Sequence, residues 1–153
     1  MSVAFRRDSD EEHREPRFEL PLPPGPNLVT QRGYDLIKAR TEELEAAVAA
    51  AAGAEQRAEL QRDLRYWRTR LATAQIAPVP RGDAVAFGTC VTLEQDGRVR
   101  SLTLVGHDEA DPACGLIAFA SPLGQALMGA EAGEDVTAPG AGKPVRVISV
   151  ARA

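Results

Sequence analysis

Residues 30–75 read TQRGYDLIKARTEELEAAVAAAAGAEQRAELQRDLRYWRTRLATAQ, and the fold turns on how this stretch repeats. Ile37, Thr41, Leu44, Val48 and Ala51 follow one another at alternating spacings of four and three. Such spacing lines one stripe of an α-helix and is the seam of a coiled coil. After Gly53 the pattern restarts with Leu60, Leu64, Trp67, Leu71 and Ala74. Two seams of equal length with a glycine between them describe an antiparallel helical hairpin. Thr30 is a good N-cap, because its hydroxyl can take a free N–H of the first turn. Gly53 suits the bend because glycine takes positive φ without steric cost. Each arm of about 20 residues extends on the order of 30 Å. Pro78 and Pro80 stop the second helix.

The outward positions are charged. Glu42, Glu43 and Glu45 lie on the first arm, and Arg57, Arg62, Arg65, Arg68 and Arg70 line the second. A solvated face with cross-arm ion pairs, each contributing little, is the simpler account. A basic stripe facing a partner's groove or nucleic acid is the functional alternative. The tip is Ala52, Gly53 and Ala54, followed by Glu55 and Glu59 at i and i+4 on one helix face. Two carboxylates there could hold a Mg²⁺ weakly, with most of its waters kept, but a plain surface pair is the simpler reading.

Outward on the C-terminal side, the chain reads as short strands and turns. Val85-Ala86-Phe87-Gly88 and Val91-Thr92-Leu93 form a strand region interrupted at Gly88, and Gln95-Asp96-Gly97-Arg98 is a hairpin turn. Val99, Ser101 and Thr103 then fall on one face of a strand, with Leu102 and Leu104 on the other. Leu116 to Ala120 is a further strand, after which Ser121 caps a short helix with Pro122 at its first position, ending at Gly129. A last strand runs over residues 144–150. The class is α+β: a helical hairpin over residues 27–77, then a small sheet of four or five strands with one short helix over residues 83–153. On the N-terminal side, residues 1–26 are dense in Arg, Asp and Glu and end in Pro21-Leu22-Pro23-Pro24-Gly25-Pro26. Such a stretch cannot bury enough apolar area to offset its ordering entropy. A disordered charged tail with an extended proline spacer is expected, and a Pro-rich ligand for a recognition domain is the alternative.

Composition narrows the function. Aromatics are 5% of the chain, so no base-stacking platform is expected. A net charge of -4 argues against binding nucleic acid through the whole surface, and contact with DNA or RNA is expected to be indirect or weak. No apolar run approaches the ~20 residues that span a bilayer, and the charged N-terminus has no signal-peptide core. A cytoplasmic location without a membrane partner is expected. Cys90 and Cys114 lie far apart, and His13 and His107 sit near neither, so no zinc site is read; buried, reduced thiols are expected. No nucleophile elbow, Walker loop or dinucleotide fingerprint is present. His107-Asp108-Glu109 has the make-up of an acid–base or metal cluster. It follows a strand directly and continues into polar sequence, so a solvated loop is the simpler reading. No catalytic residue, metal ligand or cofactor is assigned, and no enzymatic activity is expected.

The residues also resemble a known family. Asn27-Leu28-Val29-Thr30-Gln31-Arg32-Gly33-Tyr34 is similar to the opening of the Gre transcription elongation factors, in which a Val-Thr pair precedes a Gly and the first coiled-coil arm. Residues 65–76 resemble the return arm, and residues 85–93 and 104–111 resemble the first elements of the C-terminal domain. Most specific is Gly115-Leu116-Ile117-Ala118-Phe119-Ala120-Ser121-Pro122-Leu123-Gly124-Gln125-Ala126-Leu127-Met128-Gly129, similar nearly throughout to the family's strand, Ser-Pro and small-helix segment. The likeness covers about residues 27–150. It implies an FKBP-like C-terminal domain that docks on bacterial RNA polymerase at the rim of the secondary channel, with the coiled coil entering the channel. By that resemblance Asp108, Glu109, Ser121, Pro122 and Leu123 face the polymerase.

The departure from the family lies at the tip. Gre factors carry acidic residues there that help hold a second Mg²⁺ and activate water for transcript cleavage. Such chemistry needs carboxylates placed to within a fraction of an ångström. Here residues 46–55 are Ala-Ala-Val-Ala-Ala-Ala-Ala-Gly-Ala-Glu. The hairpin also falls short of the family's, and about ten residues fewer per arm removes about 15 Å of reach. In coil length the chain resembles the Rnk-type relatives. The reading is an RNA-polymerase-binding regulator without cleavage activity. Its rivals are cleavage stimulation through Glu55 and Glu59, and an interaction module unconnected with transcription. Peptidyl-prolyl isomerisation would want an aromatic pocket, for which Phe87 and Phe119 are the candidates. The sequence fixes no oligomeric state, and a monomer is the working expectation.

Overall fold

The computed structural model describes residues 19–140 and 142–153, so residues 1–18 of the expected tail lie outside the described residues. Strand β1 (Leu28–Val29) leads into helices α1 (Gln31–Ala50) and α2 (Ala54–Thr73), followed by β2 (Gln75–Ile76). Strands β3 (Thr89–Gln95), β4 (Arg98–Val105) and β5 (Leu116–Ala118), helix α3 (Pro122–Leu127), and strands β6 (Asp135–Val136) and β7 (Val145–Arg152) complete the chain.

The two helices pair along the seam that their spacing dictates. Ile37, Thr41 and Leu44 are buried on α1, and Leu64 on α2. Burying Ile37 and Leu44 contributes roughly 1.5–3 kcal/mol each. Thr41 is tolerated there because its hydroxyl donates to the Ile37 carbonyl at 2.8 Å. A two-helix seam has no third layer, so Val48, Leu60 and Trp67 stay partly exposed. Thr30 caps α1 as expected, its hydroxyl accepting from the Gly33 N–H at 3.0 Å.

The bend corrects one expectation. Gly53 does not take positive φ; it is the N-cap of α2 with φ -109° and ψ 152°, and no side chain caps the helix. The bend is closed instead by the Ala51 N–H, which donates to the Val48 carbonyl, and by Arg57, which donates to the Ala51 carbonyl at 2.9 Å. A cation at a helix C-terminus is favourable. Because φ is ordinary and nothing lies within 4 Å of a Cβ built at Gly53, Gly53→Ser is expected to raise stability by about 0.5 kcal/mol through a new cap. Urea unfolding of that variant against Gly53→Ala, which adds no cap, checks this.

The C-terminal sheet has the order β5-β4-β3-β7-β6, antiparallel except for the parallel pair β4–β5. Val91, Leu93, Leu102, Leu104, Val145 and Val147 point to one face and pack with Val85 and Leu127 of α3. Leu102 and Leu104 face this core while Val99 and Ser101 are exposed, as the alternation requires. At the β3–β4 turn Asp96 and Gly97 have φ of 53° and 75°, the positive values of a type I′ hairpin. The strand expected at Val85–Gly88 is not formed. Val85 instead pairs with the segment after α3, donating to the Ala130 carbonyl and accepting from the Gly129 N–H, both at 2.8 Å. Its apolar run marks burial rather than a ladder. Strands β1, β2 and β6, two residues each, are too short for any periodicity to reveal.

Candidate functional site

Parallel neighbours need a crossover, commonly a helix of a dozen or more residues. Here β4 and β5 are joined by only residues 106–115, through short 3₁₀ turns at His107–Glu109 and Pro112–Cys114. The first turn points at the base of the hairpin. Its entry glycine, Gly106, lies flat on β1: a Cβ there would stand 2.4 Å from the Leu28 carbonyl oxygen.

Two carboxylates of this turn close the junction. Asp108 Oδ2 accepts from Arg70 Nε at 2.6 Å, and Asp108 Oδ1 accepts from the Tyr66 hydroxyl at 2.6 Å. The Arg70 and Asp108 side chains are 6% and 4% exposed. Glu109 Oε1 accepts from the Thr30 hydroxyl at 2.5 Å, and Oε2 accepts from Arg32 at 3.2 Å. Gly33 makes room for that carboxylate, since a Cβ would meet Glu109 Oε1 at 2.8 Å. The anion thus sits against the positive end of α1. Asn27 adds a bond to the Arg70 carbonyl at 2.8 Å.

These positions change three readings. The turn 107–109 is no solvated loop, because both carboxylates are buried and satisfied by the hairpin. Asp108 and Glu109, expected to face a polymerase, are turned inward by the same bonds. Arg70, expected on the solvated face of the second arm, is buried. Helical periodicity marks Arg70 as lying off the seam, and its side chain is buried against Asp108 of the 107–109 turn.

Tyr66 carries the clearest electrostatic signature. Burial, and then its hydrogen bond to Asp108, push the phenol well above the ordinary tyrosine range. The folded state therefore holds this proton more tightly than the unfolded chain. Stability supplied by Tyr66 is complete below the unfolded value of about 10 and is lost as pH rises above it. Unfolding midpoints between pH 9 and 11 should fall more steeply for the wild type than for Tyr66→Phe.

The other expected contacts lie at the start of α3. Ser121 is a cap, its hydroxyl accepting from the Gly124 N–H at 3.1 Å. Leu123 packs against the sheet core. Pro122 is exposed, as are Ala120 and Met128 on either side. Gly124 cannot be replaced freely, because a Cβ would lie 2.5 Å from the Ala118 carbonyl. A cleft of about 370 Å³ beside this loop is lined by Pro23, Pro24, His107, Phe119 and Ser121. Phe87 and Phe119 meet edge to face at 5.2 Å, so their rings serve each other's packing. Cys114 is exposed rather than buried, and Cys90 is intermediate.

At the far end, Ala52, Gly53, Ala54, Glu55 and Glu59 are all exposed. Among the described residues no three His, Cys, Asp or Glu side chains converge on a possible metal position, and no helix is long and apolar enough to cross a membrane.

Residues 80–152 match the family model described as transcription elongation factor, GreA/GreB, C-term. Transcription elongation factor GreA of Thioalkalivibrio sulfidiphilus is 32% identical over 139 residues, covering 76% of this chain and 88% of that protein. The chain belongs to the GreA/GreB family. GreA of Desulfovibrio desulfuricans is 42% identical over 78 residues, 48% of each chain. The crystal structure of GreA factor homolog 1 from Thermus thermophilus overlaps 82% of this chain and 99% of its own, at 19% identity and a TM-score of 0.41.

The Gre-like opening now has a physical account. Thr30 accepts from Gly33 and donates to Glu109, so one hydroxyl both caps the helix and ties it to the sheet. Gly33 is the residue that lets this happen. The sequence offered the Val-Thr-x-x-Gly spacing as a family signature; its role as a joint needs residue 109, some 79 positions away.

Proposed function

We propose that this Gre-family protein binds bacterial RNA polymerase at the rim of the secondary channel and does not itself stimulate transcript cleavage. The match over residues 80–152 supports a docking domain of the family's type. Pro122, with its exposed neighbours, supplies the contact surface, Ser121 holds the loop in shape, and Leu123 anchors it. Asp108 and Glu109 act one step back, setting the direction in which the hairpin leaves the sheet.

The observation that carries the absence of cleavage is the tip. Residues 46–54 hold no carboxylate, and the arms end at Ala50 and Ala54. The alignment with the Thioalkalivibrio relative supports a shortened coil. Its 139 positions take up only 76% of a 153-residue chain, which leaves roughly 20 positions that the relative fills and this chain lacks. Placed wholly in the two arms, these would correspond to about 15 Å of hairpin. A blunt hairpin on a docked domain blocks the channel entrance without delivering carboxylates to the catalytic Mg²⁺.

The test is binding to purified core RNA polymerase, with a cleavage-active Gre factor as competitor and a backtracked complex as substrate. Competition without cleavage is expected. Cleavage that disappears in the Glu55→Ala/Glu59→Ala variant would replace this reading with a cleavage-stimulating one. Failure to bind polymerase would overturn the docking reading altogether.

A further inference from the structure

The segment that leads into the hairpin is tied at both ends. Asn27 donates from its amide to the Arg70 carbonyl at 2.8 Å and to Thr73 Oγ1 at 3.2 Å, at the base of α2. At the other end Arg65 donates from Nε to both Glu19 oxygens at 3.0 Å and from Nη2 to Oε1 at 2.6 Å. Between these ties runs Leu20-Pro21-Leu22-Pro23-Pro24-Gly25-Pro26. Each proline fixes its own φ and restricts the residue before it. Holding this segment in one shape therefore costs less entropy than holding ordinary residues. Gly25, with φ 87°, supplies the bend that the prolines cannot.

The tied segment lies beside the loop proposed to touch polymerase. Pro23, Pro24 and Pro26 line the cleft of about 370 Å³ together with Phe119, Ala120 and Ser121, and Pro122 follows directly. Most of that lining is apolar: proline rings, an aromatic ring and a methyl group. Apolar surface continues outside the cleft, where Leu22 is 51% exposed and Pro24, Pro26, Ala120 and Pro122 are exposed. His107, also exposed, adds a polar edge. Exposed apolar surface with a polar rim marks an interaction site. A stable protein interface covers about 800 Å² on each partner, far more than one short loop offers. A partner seated on Pro122 must therefore extend over neighbouring surface, and the cleft and its proline wall adjoin that residue.

We propose that residues 22–26 and residues 119–122 form one composite contact surface for RNA polymerase, and that the cleft between them takes a large apolar side chain of the polymerase. The proposal rests on the docking reading above and extends it to a segment outside the C-terminal domain. The proline segment presents a preformed apolar wall, which lowers the ordering cost of the contact. The side chain that fills the cleft acts as the buried anchor of the interface.

The full chain tests this with two substitutions and two cross-linkers. Pro24→Asp places a charge at the mouth of the cleft, on a residue already exposed. It should weaken competition with a cleavage-active Gre factor for core polymerase roughly tenfold, with the unfolding midpoint unchanged. Pro122→Asp should weaken it as well and reports on the docking reading alone. Photo-reactive benzoylphenylalanine at Leu22 and at Pro122, in separate proteins, should cross-link to the same polymerase subunit. If Pro24→Asp competes like the wild type while Pro122→Asp does not, the composite surface is overturned and docking stands. If the wild type does not bind polymerase, both fall. Cross-links from Leu22 to a second copy of this chain, or only within its own chain, give the cleft another occupant and overturn the proposal.

Discussion

Asp108→Ala is expected to lower stability by about 3–5 kcal/mol, the largest effect of any single side-chain truncation at the junction. The loss is not the worth of one ion pair. Removing the carboxylate leaves the Arg70 guanidinium, 6% exposed, inside the joint without its 2.6 Å partner, and it strands the Tyr66 hydroxyl as well. An uncompensated buried charge costs far more than a surface pair contributes. Against a total of 5–15 kcal/mol for an ordinary domain, this is a large fraction. A fall in Tm of about 10 °C should follow. Replacing both partners, Arg70→Met with Asp108→Leu, removes the charge along with its counter-charge and should cost clearly less than Asp108→Ala alone. Tyr66→Phe, which deletes one hydrogen bond, should cost about 1 kcal/mol. Urea unfolding of the four proteins decides the matter: a double variant as unstable as the single one would mean that packing, not charge, holds the joint.

The second large effect is expected at Gly106. A methyl group there would stand 2.4 Å from the Leu28 carbonyl oxygen and 3.5 Å from its carbon. Both atoms are backbone, and β1 is itself tied to β2 by the register Leu28↔Gln75 and Val29↔Ile76. Neither side can yield as a flexible side chain would. Gly106→Ala should therefore cost about 3 kcal/mol, at the upper end of ordinary overpacking. Gly33→Ala makes the milder comparison. Its methyl group would meet Glu109 Oε1 at 2.8 Å, a side-chain atom that can shift at the expense of its bond to Thr30. Gly106→Ala should also reduce competition with a cleavage-active Gre factor for polymerase, because the sheet survives while the hairpin loses its fixed direction. A Gly106→Ala protein with the wild-type unfolding midpoint would show that the turn and β1 separate at little cost.

Much of this molecule is written in local sequence. The four-and-three spacing of Ile37, Thr41, Leu44 and Val48, restarted at Leu60, describes the hairpin because a helix repeats its faces every 3.6 residues. Thr30 and Ser121 announce helix starts, and Asp96-Gly97 announces a turn, because those properties belong to one residue and its immediate neighbours. The likeness of residues 115–129 to the Gre segment places the chain in its family. Each of these signals is complete within about twenty residues.

The joint is different in kind. Arg70 and Asp108 are 38 positions apart, and Thr30 and Glu109 are 79. Nothing near Arg70 distinguishes it from Arg65 or Arg68, which remain on the surface, and nothing near Asp108 distinguishes a buried acid from one in a solvated turn. Their burial follows from the short connection after β4, which carries residues 107–109 onto the base of the hairpin. Gly106 against Leu28 and Gly33 against Glu109 likewise acquire their meaning only from backbone brought close by the fold. The sequence by itself determined the hairpin, the longer strands, the family likeness and the blunt tip, because these depend on local spacing and residue type. Only the tertiary structure decided which charges are buried and how the hairpin is held, because burial depends on what a distant segment covers.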